Sequence, residues 1–162
     1  MKRVATSLIL ILAGGCEPAR VPPGNLSVEG LPVTGSLAFA QRAGFTRCLD
    51  FNSYLRCRRD GIYLAGEGPY QGAIDARGAD GGGGFDQLTL WHERDQRAVV
   101  AVARKLAVSG WRLCRTQIDD RGDQNIWRKA GSKVRVSIDV SYWGKRRLRV
   151  LPELGQATGK CL

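Results

Sequence analysis

The chain has a single histidine, His92, followed directly by Glu93 in Leu90-Trp91-His92-Glu93-Arg94. A histidine beside a carboxylate is the simplest pairing for general acid–base transfer. Adjacent strand residues point to opposite faces, however. The two groups are therefore not expected to converge, and His92 reads as a surface residue at a strand end. Asp119-Asp120-Arg121-Gly122-Asp123 gathers three carboxylates in a turn. It lacks the Asp-x-Asp-x-Asp-Gly spacing and distal Glu of a calcium loop, and Arg121 sits among the acids. A plain polar turn is expected. The run Gly81 to Gly84 lacks the Lys-Ser/Thr of a phosphate loop and reads as a flexible connection. No Gly-x-Ser-x-Gly elbow supports a serine hydrolase. These residues point away from catalysis and toward binding.

The N-terminus carries a different chemistry. Met1-Lys2-Arg3 is followed by Val4 to Leu12 with almost nothing polar, then by Leu12-Ala13-Gly14-Gly15-Cys16. A bilayer-spanning helix needs roughly 20 apolar residues, more than this stretch offers. The order fits a secretory signal that is removed. The small residues ending in Cys16 resemble the lipobox of bacterial lipoprotein precursors. The commonest lipobox has Leu three places before the Cys; here that place is Ala13, with Leu12 one further out. The resemblance implies that residues 1–15 are cleaved and Cys16 becomes a lipidated N-terminus. The mature chain would then face the periplasm, on the outer membrane in preference to the inner. Two or more acyl chains anchor stably. The other reading of these residues is an ordinary secretory signal, with Cys16 a plain thiol. Residues 16–36 then hold the Cys and a stretch with four prolines and three glycines, a linker composition.

Export bears on the remaining cysteines, Cys48, Cys57, Cys114 and Cys161. In an oxidising compartment an even set suggests disulfides, here with three possible connectivities. Cys48–Cys57 with Cys114–Cys161 is favoured, because the first two flank what reads as a tight hairpin. The spacings match no zinc pattern, and no metal or other cofactor is expected.

Basic residues are unevenly spread. Residues 16–94 contain eight Lys or Arg and nine Asp or Glu, whereas residues 95–155 contain 14 and six. The excess is densest at Lys145, Arg146, Arg147 and Arg149, beside Tyr142 and Trp143. Arg forks bind phosphate bidentately, and neighbouring aromatics could stack on sugars. In the envelope this points to lipopolysaccharide or anionic lipid. Each basic group near an anionic surface contributes about 1 kcal/mol. A solvated strand whose charges deter aggregation is the plainer reading. Nucleic acid would suit the same charges, but export argues against it.

These residues must be carried by secondary structure. One helix is predicted from about Leu37 to Ala43, after Ser36. A second has Asp95 as N-cap, a stripe of Val99, Val102, Ala103 and Leu106, and Gly110 at C′. Strands alternate: Val134, Val136, Ile138 and Val140 against Arg135, Ser137, Asp139 and Ser141; Leu148 and Val150 against Arg147 and Arg149; Leu88 and Leu90 against Gln87 and Thr89. This pattern marks antiparallel strands with one wet face. Tyr142-Trp143-Gly144-Lys145 is a candidate turn, and residues 78–84 its longer counterpart. Phe45 and Trp111 read as core, Trp143 as an exposed anchor.

The chain also appears in two parallel series. Residues 40–48 match residues 106–114: each ends a helix on Gly, follows with an aromatic, and places Cys three residues later. Residues 54–56, 73–75 and 87–93 match 126–128, 137–139 and 147–153 in the same order. The predicted fold is α+β, with tandem duplicated helix-plus-antiparallel-strand units forming one sheet and helices on one face. The units would span residues 37–94 and 95–155, before a tail at 156–162. This looks like the architecture of the beta-lactamase inhibitory proteins. Outer-membrane assembly lipoproteins of the BamE type carry one comparable unit. The likeness is in element order, so no functional residue is carried over.

The expectation is thus a non-enzymatic envelope lipoprotein acting by binding. Its partners would be the bilayer, through the acyl anchor, and an envelope protein or anionic surface, through residues 95–155. The alternative is an inhibitor of a secreted hydrolase. Lysozyme-type targets are basic and would want an acidic inhibitor, which leaves an acidic target.

Overall fold

The computed structural model describes residues 23–115, 123–141, 145–153 and 161. In chain order the elements are β1 (Leu26–Val28), β2 (Leu31–Thr34), α1 (Leu37–Arg42), β3 (Arg47–Asp50), β4 (Tyr54–Leu64), β5 (Glu67–Arg77) and β6 (Leu88–Trp91). There follow α2 (Ala98–Val108), β7 (Arg112–Arg115), β8 (Gln124–Arg128), β9 (Val134–Asp139) and β10 (Leu148–Pro152). β3 to β10 form one antiparallel sheet in the order β3-β4-β5-β6-β10-β9-β8-β7, and β1 pairs with β2.

The predicted α+β fold of duplicated units is corrected by this architecture. The described residues are mostly β, with 49% strand and 14% helix. Its helices are short, six and 11 residues. The two parts of the sheet also differ in build: β4 and β5 are 11 residues each, β8 and β9 five and six. The likeness between residues 40–48 and 106–114 has a local cause, the same way of stopping a helix. Gly44 (φ 88°) and Gly110 (φ 81°) take the left-handed conformation. Phe45 N–H then donates to Ala40 C=O and Gly44 N–H to Gln41 C=O; Trp111 N–H donates to Leu106 C=O and Gly110 N–H to Ala107 C=O. Both are Schellman motifs, which satisfy the last free carbonyls of a helix. A stop signal recurs because helices need it, whatever the chain's history.

Helix starts differ from each other. Ser36 caps α1, its hydroxyl accepting from Phe39 N–H at 3.3 Å. α2 has Arg97 at the N-cap position and no side-chain cap. Asp95 lies before the helix and accepts Arg97 N–H at 2.9 Å. The expected stripe is realised in Val99, Val102 and Leu106, all buried.

A second difference concerns residues read as linker. Residues 26–34 form the β1–β2 hairpin, and Leu31 and Val33 belong to the core. Glu29 (φ 49°) and Gly30 (φ 75°) make the turn. Positive φ at both central positions matches the twist of a two-residue hairpin. β2 packs against β6 and β10.

The core lies on one face of the large sheet. Ile74, Ala76, Leu88, Leu90, Val136, Ile138, Leu148 and Val150 meet Val99, Val102 and Leu106 of α2 within it. Gly72 is needed where β5 passes under its neighbours: a Cβ there would meet Leu90 Cδ2 at 2.8 Å and also strike Ile62 Cδ1. The opposite face is not uniformly wet. Ser137 and Asp139 are buried; Ser137 Oγ donates to Gln124 Oε1 at 2.8 Å, and Asp139 Oδ1 accepts Ser141 N–H at 3.0 Å.

The disulfides are Cys48–Cys57 and Cys114–Cys161, with Cα–Cα distances of 4.0 and 3.9 Å. The first joins facing residues of β3 and β4. The second ties β7 to the C-terminal end through a lone bridge.

Candidate functional site

Strand alternation builds a second surface on the face away from the core. On β4, Cys57 points into the core and is fully buried; Arg56 and Arg58 on either side of it point the other way. On β10, Leu148 and Val150 enter the core, and Arg149, with Arg147 just before the strand, takes the opposite face. Between these strands lie β5 and β6, which contribute Gln71, Ala73, Asp75, Thr89 and Trp91. The register places Arg58 opposite Ala73, Ala73 opposite Thr89, and Thr89 opposite Arg149. Gln87, Glu93 and Lys145 complete a trough of about 430 Å³.

Its walls are basic. Five of the lining residues carry positive charge, Arg56, Arg58, Lys145, Arg147 and Arg149, against the two carboxylates of Asp75 and Glu93. Arg56 meets Asp75 through paired bonds, Nε to Oδ1 and Nη2 to Oδ2, each 2.7 Å. Those bonds hold the Arg56 guanidinium above its ordinary pKa, against the opposing effect of burial. Arg56 also lies 5.6 Å from the Phe51 ring and 5.5 Å from the Tyr54 ring. These rings stack at 5.0 Å. Lys145 Nζ reaches Glu93 at 3.6 Å between exposed side chains, a weak pair. Arg58 sits 5.8 Å over Trp91. Arg58 and Arg147 have no carboxylate partner among the described residues. Arg149 is 9% exposed and belongs to the trough's depth.

The basic run identified from the sequence is therefore split. Lys145, Arg147 and Arg149 line the trough. Arg146 does not; its backbone N–H donates to Gln96 Oε1 at 2.6 Å. Tyr142, Trp143 and Gly144 lie outside the described residues, as do residues 1–15, Cys16 and Asp119, Asp120, Arg121 and Gly122. Arg56 and Arg58 were missed because counting charge by segment gave residues 16–94 no excess. A usable signal was present: Arg56-Cys57-Arg58 and Arg147-Leu148-Arg149 share one pattern, basic-apolar-basic at strand period.

The histidine does structural duty. His92 Nδ1 accepts Asp95 N–H at 2.9 Å, holding the turn into α2, and Glu93 turns to Lys145. Among the described residues no group of three or more His, Cys, Asp or Glu side chains is placed to hold a metal ion. What the trough gathers is positive charge and hydrogen-bond donors, the equipment for holding an anion. Compared with protein-family models, curated proteins and solved structures, the chain matches none.

Proposed function

We propose that this chain is the precursor of a periplasm-facing lipoprotein, anchored through Cys16 and favouring the outer membrane, that acts by binding an anionic envelope partner in the trough. The observation that carries the reading is the meeting of two basic alternations, Arg56/Arg58 and Arg147/Arg149, across β5 and β6. An arginine pair on one strand is a common solvated feature. Two pairs facing each other over a shared floor concentrate positive potential, and low-dielectric walls focus it. Catalysis plays no part in this proposal, and neither does a cofactor.

Two measurements test it. The intact mass of the protein from membranes of a producing bacterium should equal residues 16–162 plus diacylglyceryl and acyl groups. A bare polypeptide from the soluble periplasm overturns the anchor. Binding to vesicles rich in anionic lipid should fall with salt and fall further in Arg58→Ser/Arg147→Ser. Binding unaffected by both overturns the trough as the binding face.

A second reading, an inhibitor docking on an acidic secreted hydrolase, draws on one observation. Leu49 and Phe51 are exposed beside Tyr54 and Arg56, and tyrosine and arginine are favoured binding anchors. Inhibition of such an enzyme, lost on Phe51→Ala, would establish that reading instead.

A further inference from the structure

The chemistry of the trough floor narrows the partner, on the reading that the trough is the anion-binding face. We infer that it takes a sugar carrying more than one anionic group, such as a bisphosphorylated hexose unit.

The walls alone would accept any polyanion, so the floor decides. On the walls, Arg58 and Arg147 have no carboxylate partner among the described residues, which suits a ligand with two anionic groups. The floor between the arginine walls contains Gln71 and Thr89, both half-buried. Neither side chain has a hydrogen-bond partner among the described residues. An amide and a hydroxyl can each donate and accept. Sugar hydroxyls use both, whereas a row of ionised carboxylates only accepts; inorganic phosphate has one or two O–H donors but cannot span the floor while held by both walls. A ligand that donates to these two groups satisfies polar atoms already half removed from water.

The lining excludes other classes. Ala73 is its one aliphatic residue and Trp91, covered by Arg58, its one aromatic, so an acyl chain would find little apolar surface. An acidic peptide would want a pocket for an apolar or aromatic anchor, and the described lining of the trough forms none. The volume, about 430 Å³, falls in the range of sites for small organic ligands, roughly 300–1,000 Å³. A single inorganic anion would leave most of it to water.

The test uses the protein as isolated from cells, with calorimetry at fixed ionic strength. Glucose 1,6-bisphosphate should bind about ten-fold or more tighter than inorganic phosphate or hexa-aspartate, the scale of one or two net hydrogen bonds. Gln71→Ala/Thr89→Val should weaken glucose 1,6-bisphosphate about ten-fold and inorganic phosphate far less, with an unaltered melting temperature showing that the fold persists. Hexa-aspartate binding as tightly as the sugar, or an inert floor variant, overturns the inference while the anion-binding reading stands. If no anion binds and Arg58→Ser/Arg147→Ser changes nothing, that underlying reading has failed instead. Vesicles bearing a phosphorylated glycolipid separate two sources of the same chemistry. Vesicle binding displaced by glucose 1,6-bisphosphate assigns the ligand to a lipid headgroup, and bisphosphate binding without vesicle binding assigns it to a soluble glycan; each supports the inference.

Discussion

The two faces of the large sheet use the same strands for opposite ends. On β5, Ile74 and Ala76 are closed off in the core, and Ala73 and Asp75, alternating with them, line the trough. At the start of β10, Leu148 is fully buried, and Arg147 just before it is exposed. The core face is closed by α2 and by β2. The trough face leaves Arg58 and Arg147 without carboxylate partners among the described residues. A core face gains from every contact that excludes water. A binding face must keep polar groups available, so it contributes little to stability. The difference teaches that one-residue steps along a strand separate folding from recognition.

The sharpest way to break this comparison is to change two adjacent residues, one from each face, where β10 begins. Leu148→Ala should lower stability by about 2–5 kcal/mol in urea unfolding, through lost burial and a cavity. Its neighbour Arg147→Ser should stay within about 0.5 kcal/mol of the parent and still weaken anion binding. Similar losses from both would show that the faces are not distinct in the way described.

The edges of the sheet offer the next effect. Each disulfide staples one edge strand, and removing either should cost about 2–4 kcal/mol. Cys114–Cys161 spans 47 residues and Cys48–Cys57 spans nine. If chain entropy governs, Cys114→Ser/Cys161→Ser should cost about 1.5 kcal/mol more than Cys48→Ser/Cys57→Ser. Equal losses would place the effect in the folded state.

Gly72 probes how tightly the core face is filled. Gly72→Ala should cost about 1–3 kcal/mol by overpacking, because its Cβ meets Leu90 and Ile62. Measured stability at or above the parent's would mean that those side chains move aside freely.

The smallest effect is a pH dependence. Tyr70 is buried, and its hydroxyl donates to Ala98 C=O at 2.9 Å at the start of α2. Burial first, and the charge of Glu67 second, push its phenol from 10.0 up to about 12. Between those values an unfolded tyrosine has lost its proton and the folded one keeps it. The unfolded state then binds fewer protons, so stability falls as pH rises through the window. Tyr70→Phe should flatten that part of the decline. A decline of unchanged slope would remove Tyr70 as its source.

Much of the local structure was legible. Ser36 announced α1, Gly44 and Gly110 announced the two helix ends, and the valine stripe gave α2 its buried side. Cys48 and Cys57 framed a hairpin whose register makes them partners. Other features were hidden for physical reasons. Four prolines and three glycines made residues 16–36 look like linker, yet Leu26, Val28, Leu31 and Val33 alternate across a two-residue turn. Asp95 was read as a cap because its type fits the position, but the N-cap falls two residues later, at Arg97. Ser137 and Asp139 look like wet-face residues, and their burial follows from partners supplied by β8 and by Ser141. The duplicated-unit fold was inferred from recurring local signals, and such signals recur wherever helices stop.

The sequence by itself determined what each short segment could be. Alternation and stop signals act within a few residues, because side-chain direction and backbone satisfaction are local matters. It also determined the opening order of charge, apolar stretch, small residues and Cys16 on which the anchor proposal rests. Only the tertiary structure decided which segments became neighbours. Pairing β6 with β10 set Thr89 opposite Arg149, and pairing β4 with β5 set Arg58 opposite Ala73. Those pairings depend on burying distant apolar residues together, a condition that the whole chain must meet at once. The trough is a by-product of that condition on the other face, so no single stretch of sequence contains it.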